Sequence, residues 1–265
     1  MVKEKKKFDY LEIGASCFKT LACALKENVN VQGLSIEPIS EYLEELKHDV
    51  GDIENDKILF LNAAVDKVSG ERSLHYFDYY EFSKTHNGRL GLTGIGSFDR
   101  DNVEHEVKIQ LGKDFYKFIK SRKVKCLTPA EIIEKYDIGE VDILKVDAEG
   151  YDDIIISSFL KTTSIRPKII IYETLITDRK ASKSRRDGFL TLLTKEGYDV
   201  FKFDKFNEIC LPRESVFISS IDTLYTPGLK PTPKQIAQKI RSLELAGSNK
   251  RKIKKRLIRK SRGWI

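Results

Sequence analysis

Three places in the chain put acids, glycine and small residues at the end of a strand-like run, where a ligand can be held. The first is Glu12-Ile13-Gly14-Ala15-Ser16. A glycine with small neighbours lets backbone approach a ligand closely, and the start of a following helix favours a carboxylate or another anion. The second is Glu37-Pro38. It lies about 20 residues on, the spacing at which an acid accepts hydrogen bonds from the ribose hydroxyls of a nucleoside. The third is Asp147-Ala148-Glu149-Gly150, two acids and a glycine at a strand-to-helix turn. Each has a plainer reading, because glycines punctuate turns and acids complement helix N-termini. Their succession along one βα series favours a nucleoside site. Asp147 and Glu149 are carboxylates of the type that does general-base work. With Glu173 they can instead hold a divalent cation through oxygen ligands. Strand-end acids are common in such folds, and no metal is expected.

The elements that must position these turns show in the apolar pattern. Residues 8–13 read as a strand closing on Gly14, and residues 17–25 place Phe18, Leu21, Ala22 and Leu25 at helical spacing. Residues 31–36 are a second strand, residues 40–47 a helix capped by Ser40, and residues 58–65 a third strand. That third run is nearly continuous in apolar residues, as a parallel strand buried on both faces requires. The order βαβαβ predicts an α/β fold, the first half of a doubly wound sheet. Residues 72–77 suggest a hairpin arm, residues 83–102 a long glycine-bearing loop holding His86, Asn87, Arg89 and Ser97, and residues 103–111 a strand. Thr128-Pro129-Ala130-Glu131 carries an N-cap, a first-turn proline and a capping-box acid, predicting a helix to about residue 136. A buried strand over 141–147, a helix from about residue 150, a strand over 168–173 and a helix over 185–195 follow. Residues 198–203 and 214–220 make an antiparallel closing pair.

The first turn is no dinucleotide fingerprint. After Gly14 the chain reads Ala15, Ser16, Cys17, Phe18, Lys19, and Phe18 crowds the place of a pyrophosphate, so a nucleoside without phosphates suits it better than NAD. No GxxxxGK[ST] loop is present, which argues against nucleotide hydrolysis.

These segments resemble a known family. Leu11-Glu12-Ile13-Gly14-Ala15-Ser16, Ile36-Glu37-Pro38 and Leu61-Asn62-Ala63-Ala64-Val65 followed by Ser69-Gly70-Glu71 look like the FkbM-type S-adenosylmethionine-dependent methyltransferases. The most specific piece is Val141-Asp142-Ile143-Leu144-Lys145-Val146-Asp147-Ala148-Glu149-Gly150-Tyr151-Asp152; Ile169-Ile170-Ile171-Tyr172-Glu173 and Gly197-Tyr198-Asp199-Val200-Phe201 follow in the same order. The resemblance covers about residues 8–220. It implies a class I methyltransferase fold, a Rossmann-like, seven-stranded and mostly parallel sheet with helices on both faces. It also implies transfer of a methyl group from S-adenosyl-L-methionine to a hydroxyl, often of a sugar or glycan. Glu12, Gly14, Ala15 and Ser16 would form the methionine-end loop, Glu37 with Pro38 would hold the ribose, and Asn62 and Ala63 would border the adenine. Asp147 and Glu149 would face the reactive centre. The chain departs from the pattern at Glu12, where Asp is commoner, and at Phe18, where a second glycine is common.

Charge bears on the partners. The chain has 265 residues, 47 Lys+Arg against 40 Asp+Glu, and a net charge of +7. Nine of the cations fall in residues 248–265, which hold no acid, so the rest carries 38 basic and 40 acidic residues. The sequence therefore divides into a methyltransferase domain (1–226), a proline-containing linker with a short helix (227–247) and a basic tail (248–265). That tail, with Ile253, Leu257, Ile258 and Trp264 among its cations, suits an anionic membrane surface or nucleic acid, or remains a solvated extension. A nucleic-acid methyltransferase guided by the tail and a non-catalytic binding module on the same fold stand as alternatives. Against the former, base N-methylation in this fold often uses an Asn/Asp-Pro-Pro-aromatic turn, whereas Asp147-Ala148-Glu149-Gly150 occupies that place. No apolar run approaches the ~18 residues of a membrane span, and residues 1–7 lead straight into a strand without a signal-peptide core. Cys17, Cys23, Cys126 and Cys210 form no CxxC pair and read as free thiols. A cytoplasmic protein is expected.

Overall fold

The computed structural model describes residues 4–16, 20–25, 31–51, 57–86, 92, 94–174, 183–202 and 206–213. The expected helix start at residues 17–19, Asn87, Arg89, the strand at 214–220, the linker and the basic tail lie outside them. The chain opens as β1 (Lys6–Ile13), α1 (Leu21–Leu25), β2 (Gly33–Ile36), α2 (Ser40–Val50) and β3 (Ile58–Leu61). An insertion follows: β4 (Ala64–Val65), β5 (Gly70–Phe77), α3 (Tyr79–Thr85), β6 (Gly96–Ser97), α4 (Arg100–Gln110), a 3₁₀ turn at Lys113–Phe118, and β7 (Ile119–Leu127). The series resumes with α5 (Pro129–Lys135), β8 (Ile138–Val146), α6 (Asp152–Thr162), β9 (Ile169–Glu173), α7 (Lys183–Lys195), β10 (Tyr198–Lys202) and β11 (Asn207–Pro212).

Seven of the strands form one sheet in the order β10-β11-β9-β8-β1-β2-β3, parallel except for β11, which runs antiparallel to both neighbours. Alternation along the strands separates two apolar layers. Leu11, Ile13, Leu144 and Val146 pack with Ile132 of α5, Phe159 of α6 and Leu193 of α7. Tyr10, Ile143, Ile169 and Ile171 pack in the layer holding Leu21 of α1 and Leu46 of α2. Tyr10 faces Gly33 across β1 and β2, and a Cβ on Gly33 would come within 1.9 Å of its ring. Bare backbone at Gly33 is what lets this ring lie flat on the sheet.

The second sheet has the order β4-β7-β5-β6 and overturns several expectations. Residues 58–65 do not make one strand: the chain leaves the main sheet after Leu61, and β4 pairs with β7. The arm at residues 72–77 belongs to β5, whose antiparallel partners are β7, more than forty residues away, and the two-residue β6. Residues 103–111 form most of helix α4, capped by the Asp99 side chain and buried through Val103 and Val107. The expected loop at 83–102 carries the end of α3, β6 and the start of α4. Ser40 opens α2 but does not cap it: Ile39 occupies the cap position without a side-chain bond. Thr128, Pro129 and Glu131 do form the expected capping box. The antiparallel pair at the end is β10 with β11, so its second member lies at 207–212, ahead of the strand expected at 214–220. Cys126 and Cys210 are buried free thiols, Cys23 is a partly buried one, and Cys17 falls outside the described residues.

Candidate functional site

Because β2, β1 and β8 are parallel neighbours, the turns that follow them emerge side by side. Ile13 is level with Ile36 on one flank and Val146 on the other. The backbone N–H of Asp147 donates to Ile13 O at 2.9 Å, and those of Gly14 and Ala15 donate to Ile36 O at 3.0 Å. Gly14 has φ 74°, and a Cβ there would lie 1.9 Å from the Asp147 carbonyl oxygen. Only glycine lets the first and third turns meet.

Glu37, at 4 % exposure, binds the first turn to the second. One carboxylate oxygen accepts the Ser16 N–H at 2.7 Å and the other accepts the Ile39 N–H at 2.8 Å, on either side of Pro38. Burial pushes this carboxyl up to about 7; the two N–H donors oppose the rise, and the negative charges of Asp147 and Glu12 add to it. The Asn62 amide donates to the carbonyls of Glu37 and Pro38 at 2.9 and 3.1 Å, which fixes the end of β3 against that of β2. Ala63, next along, is buried in the core, and Ala15 is buried in the opposite layer.

Glu12 sits deeper. At 1 % exposure it is the middle of a row across three strands, level with Ser35 on β2 and Lys145 on β8. The Leu21 N–H donates to both of its oxygens at 3.0 Å, the Ser35 hydroxyl donates at 3.3 Å and the Lys145 ammonium at 3.2 Å. Glu12 thus anchors the start of α1 and, through it, the loop that Gly14 and Ser16 shape.

The turn after β8 concentrates negative charge. Glu149 has φ 50°, in the left-handed region that side chains seldom adopt. Its carboxyl is pushed well above the usual range, first by desolvation and then by the charges of Glu173, Asp147, Asp152 and Glu106. Asp152, wholly buried, accepts the Ala148 N–H at 3.2 Å and the Glu173 N–H at 3.0 Å, tying this turn to the end of β9. Burial and the charge of Asp147 push Asp152 up to about 8. Asp147, Glu149 and Glu173 are therefore neighbours electrostatically. Among the described residues no group of three or more His, Cys, Asp or Glu side chains is arranged to hold a metal ion.

Three parts of this arrangement were not foreseen as site residues. Lys145 was visible only as a member of a strand motif; its partner Glu12 lies 133 positions away. Asp152 was visible in the same motif. Asp66, Arg72 and Tyr151 form a clamp: the Tyr151 hydroxyl donates to Asp66 at 2.8 Å, Arg72 pairs with Asp66 at 2.5 Å, and its guanidinium lies 3.9 Å from the Phe98 ring centroid. This clamp fastens the residue after Gly150 to the second sheet. Arg185 of α7 holds the same turn from the other side, pairing with Asp153 and donating to Gly150 O. His86, by contrast, caps the end of α3, stacked on Phe82 and hydrogen-bonded to Thr85.

A mostly parallel seven-stranded sheet, with glycine and acids converging where β1, β2 and β8 end, defines an α/β protein of the Rossmann-like methyltransferase kind. Residues 12–200 match the family described as the methyltransferase FkbM domain, and the chain belongs to that family. No curated protein matches the sequence at a significant level. No helix among the described residues is long and apolar enough to cross a membrane.

Proposed function

We propose that this protein is an S-adenosylmethionine-dependent O-methyltransferase with the class I strand order, acting on a hydroxyl of a sugar or glycan. The observation that carries the proposal is the convergence of the Gly14 turn, the buried Glu37 carboxylate and the Glu149 turn at the carboxyl ends of three adjacent parallel strands. The residues suit the cofactor. Gly14 leaves bare backbone where a Cβ would strike Asp147. Glu37 places a buried acid where ribose hydroxyls can donate, and the carboxylates beyond β8 complement a cationic sulfonium.

When bound, S-adenosylmethionine supplies an electrophilic methyl, and the electrons of the broken carbon–sulfur bond stay on sulfur. The protein's task is then to position the acceptor oxygen and remove its proton. Glu149 is the base: burial and the neighbouring acids make its carboxylate more basic than an ordinary one, and the proton leaves the acceptor oxygen for that carboxylate as the new carbon–oxygen bond forms. Asp147 shares the negative field and holds the first turn through its backbone. Glu37 and Ser16 hold the nucleoside, Asn62 and Ala63 border its base, and Glu12 positions the loop from beneath.

Isothermal titration with S-adenosylmethionine and with S-adenosylhomocysteine tests the reading. Both should bind, and Glu37→Ala should weaken both by at least about tenfold, the equivalent of ~1.4 kcal/mol. Wild-type protein that binds neither would sink it.

A further inference from the structure

The chain reverses tightly between β8 and α6. The Tyr151 N–H donates to Ala148 O at 3.1 Å, and the two residues between them, Glu149 and Gly150, have φ 50° and 88°. That is the φ pair of a type I′ turn, whose first central position is dominated by glycine, asparagine and aspartate. Glu149 therefore sits in a backbone shape that its own residue type disfavours, and contacts from outside the turn must hold it there.

Arg185, in the first turn of α7, supplies one such contact. Its Nε donates to Asp153 Oδ2 at 2.6 Å, and one terminal nitrogen donates both to Asp153 Oδ1 and, at 3.3 Å, to the Gly150 carbonyl. Asp153 is 4 % exposed. A carboxylate at that depth, bound by two nitrogens of a planar guanidinium, leaves the guanidinium little freedom to turn. The fork on Asp153 thus aims the bond to Gly150, which fixes the peptide plane leading out of the turn. The Asp152 carboxylate takes the Ala148 N–H on the entry side, and Asp66 holds the Tyr151 hydroxyl on the exit side. Of these bonds, the one from Arg185 ends on a central residue of the turn. Arg185 acts there by geometry, since the charges that act most on Glu149 are those of Glu173, Asp147, Asp152 and Glu106.

We infer that Arg185 is a positioning residue for Glu149: by fixing the Gly150 carbonyl it holds the turn in the strained form that presents the Glu149 carboxylate to the reacting groups. The inference rests on the methyltransferase reading and makes the docking of α7 a condition for placing the base.

The test needs no acceptor and uses the full chain. Arg185→Met alone strands the buried Asp153 carboxylate, so it is paired with Asp153→Asn. Urea unfolding midpoints then compare Glu149→Gly with Glu149→Gln. Both remove the charge, but only glycine accepts the left-handed φ without strain, so its advantage over glutamine measures that strain. With Arg185 in place the advantage should be clear, and in the paired variant it should fall to less than about half. A merely structural link between α6 and α7 would lower all midpoints together and leave the advantage unchanged. Calorimetry gives a second readout. The paired variant should bind S-adenosylhomocysteine as the wild type does, but S-adenosylmethionine at least about threefold more weakly, because the carboxylate no longer faces the sulfonium. An unchanged glycine advantage, or an unchanged ratio of the two affinities, overturns the inference. Wild-type protein that binds neither compound would instead sink the methyltransferase reading, while the unfolding comparison still decides whether Arg185 holds the turn.

Discussion

Replacing Lys145 with methionine tests whether the buried polar row beneath the first turn holds that turn in place. Lys145 Nζ stands 3.2 Å from Glu12 Oε1, with side-chain exposures of 10 % and 1 %. At that distance and an effective dielectric of about 20, the attraction is about 5 kcal/mol, set against the dehydration of both groups. The pair therefore adds little net stability, but removing one member exposes the full dehydration cost of the other. Lys145→Met leaves Glu12 with the Leu21 N–H and the Ser35 hydroxyl but without the ammonium, and should lower unfolding free energy by about 3–5 kcal/mol. Methionine nearly matches the stem of lysine, so a cavity contributes little to that figure.

The assay is urea unfolding followed by circular dichroism, with the slope required to stay constant so that the midpoint reports stability alone. Adding Glu12→Gln removes the stranded charge and should restore most of the loss, to within about 1–2 kcal/mol of the wild type. The double-mutant cycle then gives a large coupling energy, as expected for groups in direct contact. A Lys145→Met protein within about 1 kcal/mol of the wild type, or a double mutant no better than the single, would refute the assignment of Glu12 as a charged anchor.

Stability should fall as pH rises from 4.5 toward 8. Glu37 is raised to about 7 and Asp152 to about 8, so over this window the native state keeps protons that the unfolded chain has released. The sign is thus negative, at up to ~1.4 kcal/mol per pH unit for each proton retained, and a stability maximum at pH 7–8 in urea melts would contradict it. Gly14→Ala must displace the Asp147 carbonyl, which its Cβ would approach to 1.9 Å, and must adopt a left-handed φ. It should cost about 2–5 kcal/mol from those two terms and abolish nucleoside binding by calorimetry. Arg72→Met releases Tyr151 from its clamp; turnover should drop by up to about 10²-fold while S-adenosylhomocysteine affinity stays the same, and an equal loss of both would show a merely structural role. Glu149→Gln removes one charge from the crowded carboxylates; it should abolish methyl transfer yet raise the unfolding midpoint at pH 8, and a lowered midpoint would show that the charge is stabilising.

The parts of the fold that could be read from sequence are those decided locally. Strands buried on both faces appear as continuous apolar runs, and the capping box at Thr128 and Glu131 is complete within four residues. The errors fall where distant contacts decide. Val103, Val107, Ile109 and Leu111 all sit at odd positions, so residues 103–111 match an alternating strand as well as a helix. The structure chooses the helix, capped by Asp99, and leaves Ile109 at 63 % exposure. β7 carries Lys120, Arg122, Lys123 and Lys125, so its alternation breaks at Arg122-Lys123, and it shows itself only through its register with β5. The split after Leu61 depends on Asn62, whose amide is taken by carbonyls 24 and 25 positions earlier. At the site the acids of the three turns could be picked out because each follows an apolar strand. The partners that set their behaviour, Lys145 for Glu12 and Asp66 for Tyr151, come from remote sequence and carry no local signal.

Strain marks the same turns. Among the described residues Ser16, Asp137 and Glu149 are the non-glycine residues at positive φ. Asp137 lies at the opposite end of β8, whereas Ser16 and Glu149 lie on the turns after β1 and β8, beside the Gly14–Asp147 contact. Each costs of order 1–3 kcal/mol and persists only where neighbouring bonds fix it. Those bonds are identifiable: the Glu37 carboxylate fixes Ser16, and Asp152, Tyr151 and Arg185 fix the chain on either side of Glu149. Left to local preference, both positions would favour glycine. A serine whose N–H reaches a buried acid and a glutamate forced in among other carboxylates make little sense as devices for stability. They make sense if the one shapes a nucleoside loop and the other delivers a basic carboxylate to a hydroxyl.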